Sequence, residues 1–253
     1  MVDNELLINI KRNAAEYAYL PAVLFEYLEN AIENDVREEL LPALSGPDRK
    51  DVLYRIDEMF RLACLTCNMK LNEFVANLGI EPNDTAYGRL DASFAIVRVI
   101  NRLRTWGFSS IRPLKAGKKK TADLYCEYSG IHCVGEVFCS PRKHFRYPEH
   151  EIKSMSLDEY YIERARGKKT QLDITALELS CEKKICILVF NSFEAQATLI
   201  HEDFLCFLKR IYDVLSWGRN YHFMLMTGMQ DAFAGIPDDA IFPPIDNAAT
   251  KLS

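Results

Sequence analysis

The sequence predicts an α/β protein, a mixed sheet flanked by helices and preceded by an N-terminal helical region. Three observations predict it. Residues 4–80 carry apolar positions at helical spacing. From about residue 109 the pattern changes to short β-branched and aromatic runs separated by turn signals. Beyond residue 157, helical stretches alternate with apolar runs, and a helix that returns an antiparallel meander to a buried strand implies a mixed sheet.

The elements follow in order. A first helical segment covers about 5–19 and is interrupted by Pro21. A second covers about 22–41, with Val23, Leu24, Leu28, Ala31 and Ile32 on one stripe. Gly46 and Pro47 break the chain, and a third segment runs to about 78 through Leu53, Ile56, Phe60 and Ala63, closed by Gly79. After a linker at 81–87, a long helix over about 88–106 turns Phe94, Val97, Ile100, Asn101 and Leu103 inward and stops at Gly107. SSIRPLK, ADLYCEYS and IHCVGEVFCS read as three strands, followed by a basic loop, PRKHFRYPEH. A helix over about 157–181 leads to KKICILVFNS, an apolar run of buried-strand type. An amphipathic helix over 197–217 leads to a fifth strand, YHFMLMTG. The tail, with Pro237, Pro243 and Pro244, reads as extended and loose. The expected organisation is 1–80 as a helical cap or interaction region, 81–234 as the main domain and 235–253 as a C-terminal tail.

Composition narrows the function classes. Of 253 residues, 49% are hydrophobic and 26% charged, which suits a packed core and excludes disorder over most of the chain. No run of about 18 apolar residues exists, so a membrane-spanning helix is not expected. MVDNELLINIKRNAAE puts acids where a signal peptide carries a basic head, so the eight cysteines read as reduced thiols of a cytoplasmic protein. Residues 1–80 hold 14 acids against 8 Lys and Arg. Residues 92–122 hold no acid but carry Arg98, Arg102, Arg104, Arg112, Lys115, Lys118, Lys119 and Lys120. Such a stretch suits a polyanion, or serves as a solvated face with a lysine-rich turn.

The chemistry rests on a hairpin. Ser129 and Gly130 make a two-residue turn, Tyr128 faces Ile131, and counting outward sets Asp123 opposite Glu136. Cross-strand partners share a face with Cβ atoms about 4.5–5.5 Å apart. Two carboxylates so close repel unless one takes a proton or a cation lies between them. Mg²⁺ or Mn²⁺ suits hard oxygen ligands of this kind, with water and substrate phosphates completing the shell. An exposed carboxylate pair without metal is the competing reading. Glu127 reads as a surface residue, and His132 as a pairing residue near the turn rather than a ligand.

The stretch TADLYCEYSGIHCVGEVF, with a helix before it and GKKTQL and KKICILVF after it, resembles the PD-(D/E)XK nuclease superfamily, the restriction-endonuclease-like fold. The resemblance covers about residues 88–192. Ala122 and Asp123 stand where that family has Pro-Asp, and Glu136, Val137 and Phe138 stand at its (D/E)-x-K triplet. Lys168 and Gln171 resemble its helix signature. It implies a Mg²⁺-dependent (or Mn²⁺-dependent) nuclease acting on DNA, with Asp123 and Glu136 as metal ligands and the metal activating the attacking water. Phe138 occupies the lysine position, so the lysine's role, to orient that water or offset developing charge, passes first to Lys168 and second to Lys119. Gln171 would orient water or phosphate. Arg98, Arg102, Arg104, Lys118, Lys119, Lys120, Arg142, Lys143 and Arg146 would hold the nucleic-acid backbone without reading sequence.

Other readings make different demands. Without a reachable lysine, the domain would bind nucleic acid without cutting it. LNEFVANLGI followed by INRLRTWGFSSIRPL also resembles a helix-turn-helix regulator, which needs no metal and no carboxylate pair. Cys64 and Cys67 form a lone C-x-x-C with no second pair to complete a zinc site. The acidic N-terminal helices would serve as a surface for a homodimer or a protein partner, or as a cap on the sheet domain, and the sequence does not separate the two.

Overall fold

The computed structural model describes residues 8, 11–12, 16–34, 40, 44, 46–85, 89–115, 121–140, 157–190, 204–227 and 240–245. Its helices are α1 (Ala22–Glu33), α2 (Arg49–Cys67), α3 (Leu71–Leu78), α4 (Arg89–Thr105), α5 (Leu157–Glu178) and α6 (Phe204–Leu215). Its strands are β1 (Ser109–Pro113), β2 (Leu124–Tyr128), β3 (Ile131–Ser140), β4 (Lys183–Phe190), β5 (Tyr221–Thr227) and β6 (Ala240–Phe242). They form one six-stranded mixed sheet in sequence order. β1, β2 and β3 are antiparallel, β3, β4 and β5 are parallel, and β6 returns antiparallel on β5. Each parallel step is made through a helix, α5 and then α6, as parallel neighbours require.

Alternation along the strands splits the core into two layers. Leu124, Cys126, Cys133, Val137, Ile185, Ile187 and Val189 face the N-terminal helices α1 to α4. Val134, Phe138, Cys186, Leu188, Phe223 and Leu225 face α5 and α6. β4 is apolar on both faces because both are covered, which explains its unbroken run of hydrophobic residues.

The structure departs from the sequence reading in the third helical segment and in the tail. The third helical segment is two helices, α2 and α3. Asn68 takes a left-handed conformation (φ 52°) and the Met69 N–H closes back on the Cys64 carbonyl, so the chain turns there. The tail contributes a sixth strand, with Phe223 paired to Phe242 and Leu225 to Ala240. The helix read at 88–106 is α4, and its apolar stripe is part of the core, as a recognition helix's would not be. It packs against α2 and β3, with Val97, Val99, Ile100 and Leu103 fully buried. Its Asn101 donates to the Met59 carbonyl at 2.9 Å. No helix among the described residues is long and apolar enough to cross a membrane.

Candidate active site

Ser129 and Gly130 both take positive φ, 50° and 81°, the backbone of a tight hairpin turn. From there β2 and β3 pair in the expected register as far as Leu124 and Gly135. The ladder stops one residue short of the expectation. The Asp123 N–H donates to the Gly135 carbonyl at 3.0 Å, which offsets the pairing by one. The next donor on β3, the Val137 N–H, is taken by the Asp123 side chain, with Oδ2 accepting at 2.8 Å. A carboxylate thus replaces the strand that has ended, which fixes Asp123 beside Glu136 without direct pairing.

Gly135 permits this closeness. A Cβ at that position would lie 2.7 Å from Leu124 Cδ1 and 3.3 Å from Ile187 Cδ1. Only glycine lets β2 and β3 approach there without displacing two buried side chains.

Glu136 is completely buried, on the sheet face covered by α5. Its Oε1 accepts from Lys168 Nζ, and its Oε2 has no hydrogen-bond partner. Burial pushes the Glu136 carboxyl up to about 8, the neighbouring Asp123 carboxylate adds to the rise, and Lys168 opposes it. Asp123 is also raised, by burial first, with the Val137 N–H and Lys168 working against the rise. Burial and mutual repulsion favour the protonated form, so in the absence of a cation Glu136 retains its proton below about 8.

The pair fits a hard divalent cation. It offers two carboxylates, one with an orphaned buried oxygen, and such an oxygen is costly to bury unmatched. Among the described residues no three or more His, Cys, Asp or Glu side chains are grouped so that they could hold a metal ion, so water and phosphate would supply the other ligands.

One face of α5 runs along the site. Lys168 meets Glu136, Gln171 Nε2 donates to the Thr121 carbonyl, and Thr175 Oγ1 accepts from the Ala122 N–H at 2.9 Å. The amide nitrogen of Gln171, expected to orient water or phosphate, is therefore engaged by backbone. Thr175 was not singled out from the sequence. A threonine in a helix gives no signal until the fold sets it against Ala122. Phe138, at the lysine position, lies in the α5 and α6 layer, edge-to-face on Tyr161 at 5.2 Å.

The basic residues are divided. Arg98, Arg102 and Arg104 lie on α4, which packs on the opposite face of the sheet from Glu136. Arg102 stacks on Trp106 at 5.7 Å and Arg104 donates to Thr66 at 3.3 Å. Arg98, like Arg164 of α5, lies close enough to Cys139, near the end of β3, to act on its thiol. Burial, with Asp91 adding to it, pushes the Cys139 thiol up to about 11 against these two cations. Lys118, Lys119, Lys120, Arg142, Lys143 and Arg146 lie outside the described residues.

His132 pairs with Glu127, as a residue of the hairpin. Tyr125 links the two, its hydroxyl 2.7 Å from Glu127 Oε1 and 2.6 Å from His132 Nδ1. Glu127 is thus half-buried in a polar cluster and not simply exposed.

No protein-family model, curated protein or solved structure matches the chain.

Proposed function

We propose that the protein is a Mg²⁺- or Mn²⁺-dependent nuclease of restriction-endonuclease-like fold that hydrolyses DNA phosphodiester bonds at Asp123 and Glu136. The observation that carries this reading is the contact between Lys168 and Glu136. It places an ammonium group from the crossover helix at the carboxylate pair, which is what a displaced lysine must do. The order of elements from α4 to β4 and the orphaned Glu136 Oε2 also support it.

In this reading Asp123 and Glu136 hold the cation. A bound divalent cation supplies Lewis acidity to the phosphoryl oxygens and lowers the pKa of water. Lys168 offsets negative charge as it develops on the phosphate, within a site already largely shielded from solvent. Gln171 holds the Thr121 backbone. Backbone phosphates are the proposed partners of Arg98, Arg102 and Arg104.

A second reading, binding without cutting, draws on Phe138, which leaves no basic group two residues after Glu136. Cleavage of plasmid and of labelled single-stranded DNA with Mg²⁺, Mn²⁺ or EDTA, alongside Glu136→Ala, separates the two. Metal-dependent cutting lost in the variant supports the nuclease. Salt-sensitive DNA binding without cutting, in both proteins, supports the binding module.

A further inference from the structure

The carboxylate of Asp123 is only as well placed as the backbone that leads into it. That backbone reaches Asp123 through Thr121 and Ala122. Two side chains of α5 hold it there. Gln171 Nε2 donates to the Thr121 carbonyl. Thr175, only 1% exposed, donates its hydroxyl proton to the Gln171 carbonyl at 2.9 Å, leaving an oxygen lone pair to accept the Ala122 N–H at 2.9 Å. Ala122 is itself 1% exposed, so its N–H has no water to turn to. Beyond it, the Asp123 N–H and carbonyl are tied to Gly135 and Leu114.

We infer that Thr175 is a positioning residue: it seats Asp123 beside Glu136 by holding the Ala122 N–H, and Gln171 is the second half of the same clamp. The helix that delivers Lys168 to Glu136 would then also set Asp123 in place, so one rigid element would fix all three groups relative to one another. The link to metal binding rests on the functional reading above. The geometric claim does not.

The Val137 N–H reports on the Asp123 carboxylate directly, because it donates to Oδ2. Amide hydrogen exchange resolved by NMR, without metal, therefore tests the clamp. Thr175→Val keeps the shape and removes the oxygen. It should speed Val137 exchange roughly fivefold or more, the scale of an ordinary hydrogen bond, relative to the β4 amides of Ile187 and Leu188. Thr175→Ser restores the hydroxyl and should return Val137 to the wild-type rate. Unchanged Val137 protection in Thr175→Val, or no recovery in Thr175→Ser, overturns the inference. If Thr175→Val does not fold, Gln171→Met leaves Thr175 in place and should also speed Val137 exchange; an unchanged rate overturns the inference.

Calorimetric titration with Mn²⁺ then tests the link to metal. Thr175→Val should bind about 10–100-fold more weakly than wild type, the usual cost of losing a group that orients a ligand, and Thr175→Ser should bind normally. Equal affinity in Thr175→Val and wild type overturns the metal link. Failure of the wild type to bind Mn²⁺ removes the functional reading, and the exchange data alone decide the clamp.

Discussion

Lys168, whose side chain is 36% exposed, is ion-paired with Glu136, whose side chain is completely buried. The pairing lies at the lip of the site, with the carboxylate inside and the ammonium at the rim. Lys168 favours the charged form of Glu136, against burial, which favours the protonated one. Lys168 does not need Glu136, because its head can be hydrated. Such asymmetry suits a lysine that can turn towards an incoming phosphate once another cation satisfies the carboxylates.

Removing Lys168 should therefore affect turnover more than metal binding. Lys168→Ala should lower the cleavage rate by about 10²–10³-fold, the scale of losing one electrostatic donor to a transition state. Its Mn²⁺ affinity should stay close to wild type, because the carboxylates remain. Cleavage kinetics and calorimetry on the same preparation check this. A Lys168→Ala protein that cuts normally transfers the lysine's role elsewhere, and Lys119 is the next residue to replace.

The raised Glu136 carboxyl gives a signed pH dependence. Between its ordinary value of 4.5 and about 8, the folded chain holds a proton that the unfolded chain has lost. This contribution to stability is complete below 4.5 and is lost as pH rises through that window, at no more than about 1.4 kcal/mol per pH unit. In EDTA, Glu136→Gln should remove the Glu136 share of the decline, since its amide does not titrate, and leave only that of the raised Asp123. Mg²⁺ should oppose the decline in wild type and not in the variant. Urea denaturation across pH, with and without metal, measures all of these.

Much of the carboxylate site was legible in advance, because a hairpin register propagates. Once Ser129 and Gly130 were read as the turn, Asp123 and Glu136 had to come close, and β4 announced itself by an apolar run that only double-sided burial allows. The local irregularity was not legible. Alternation predicts pairing through Asp123, whereas the chain ends β2 at Leu124 and closes the gap with a side chain. β6 was missed because three residues before a proline carry almost no periodic signal, and its strand character comes from β5 beside it. The left-handed turn at Asn68 interrupts an otherwise continuous helical stripe and leaves the spacing of apolar residues nearly unchanged. That Arg98, Arg102 and Arg104 lie on the face opposite Glu136 required the packing of α4, which periodicity alone does not orient relative to the sheet.

Gly135 should tolerate no side chain. Gly135→Ala places a methyl 2.7 Å from Leu124 Cδ1, and Leu124 is fully buried and adjacent to Asp123. The expected cost is about 1–3 kcal/mol in urea denaturation, the usual range for overpacking. Leu124→Val shortens the obstructing side chain, so the double variant should be more stable than the two single losses predict. Strict additivity of the two would mean that the clash is relieved by backbone movement rather than by Leu124.

His222 should act on stability with the opposite sign to Glu136. It lies on β5, 1% exposed, with Nδ1 donating to the Pro243 carbonyl at 2.7 Å and Nε2 without a partner. Burial lowers its pKa from 6.5 to about 4, and the Pro243 carbonyl only partly opposes this. Between those values the unfolded chain binds a proton that the folded chain refuses, so stability rises with pH across about 4 to 6.5. Below 6.5 the contributions of His222 and Glu136 therefore oppose each other, and above it only that of Glu136 continues. The metal-free protein should show little net slope from these two groups between about 4.5 and 6.5, then a decline towards 8. His222→Phe removes the rising contribution, so its stability should already fall with pH from about 4.5. A His222→Phe profile parallel to wild type below pH 6.5 would show that His222 takes up its proton in the folded chain as readily as in the unfolded one.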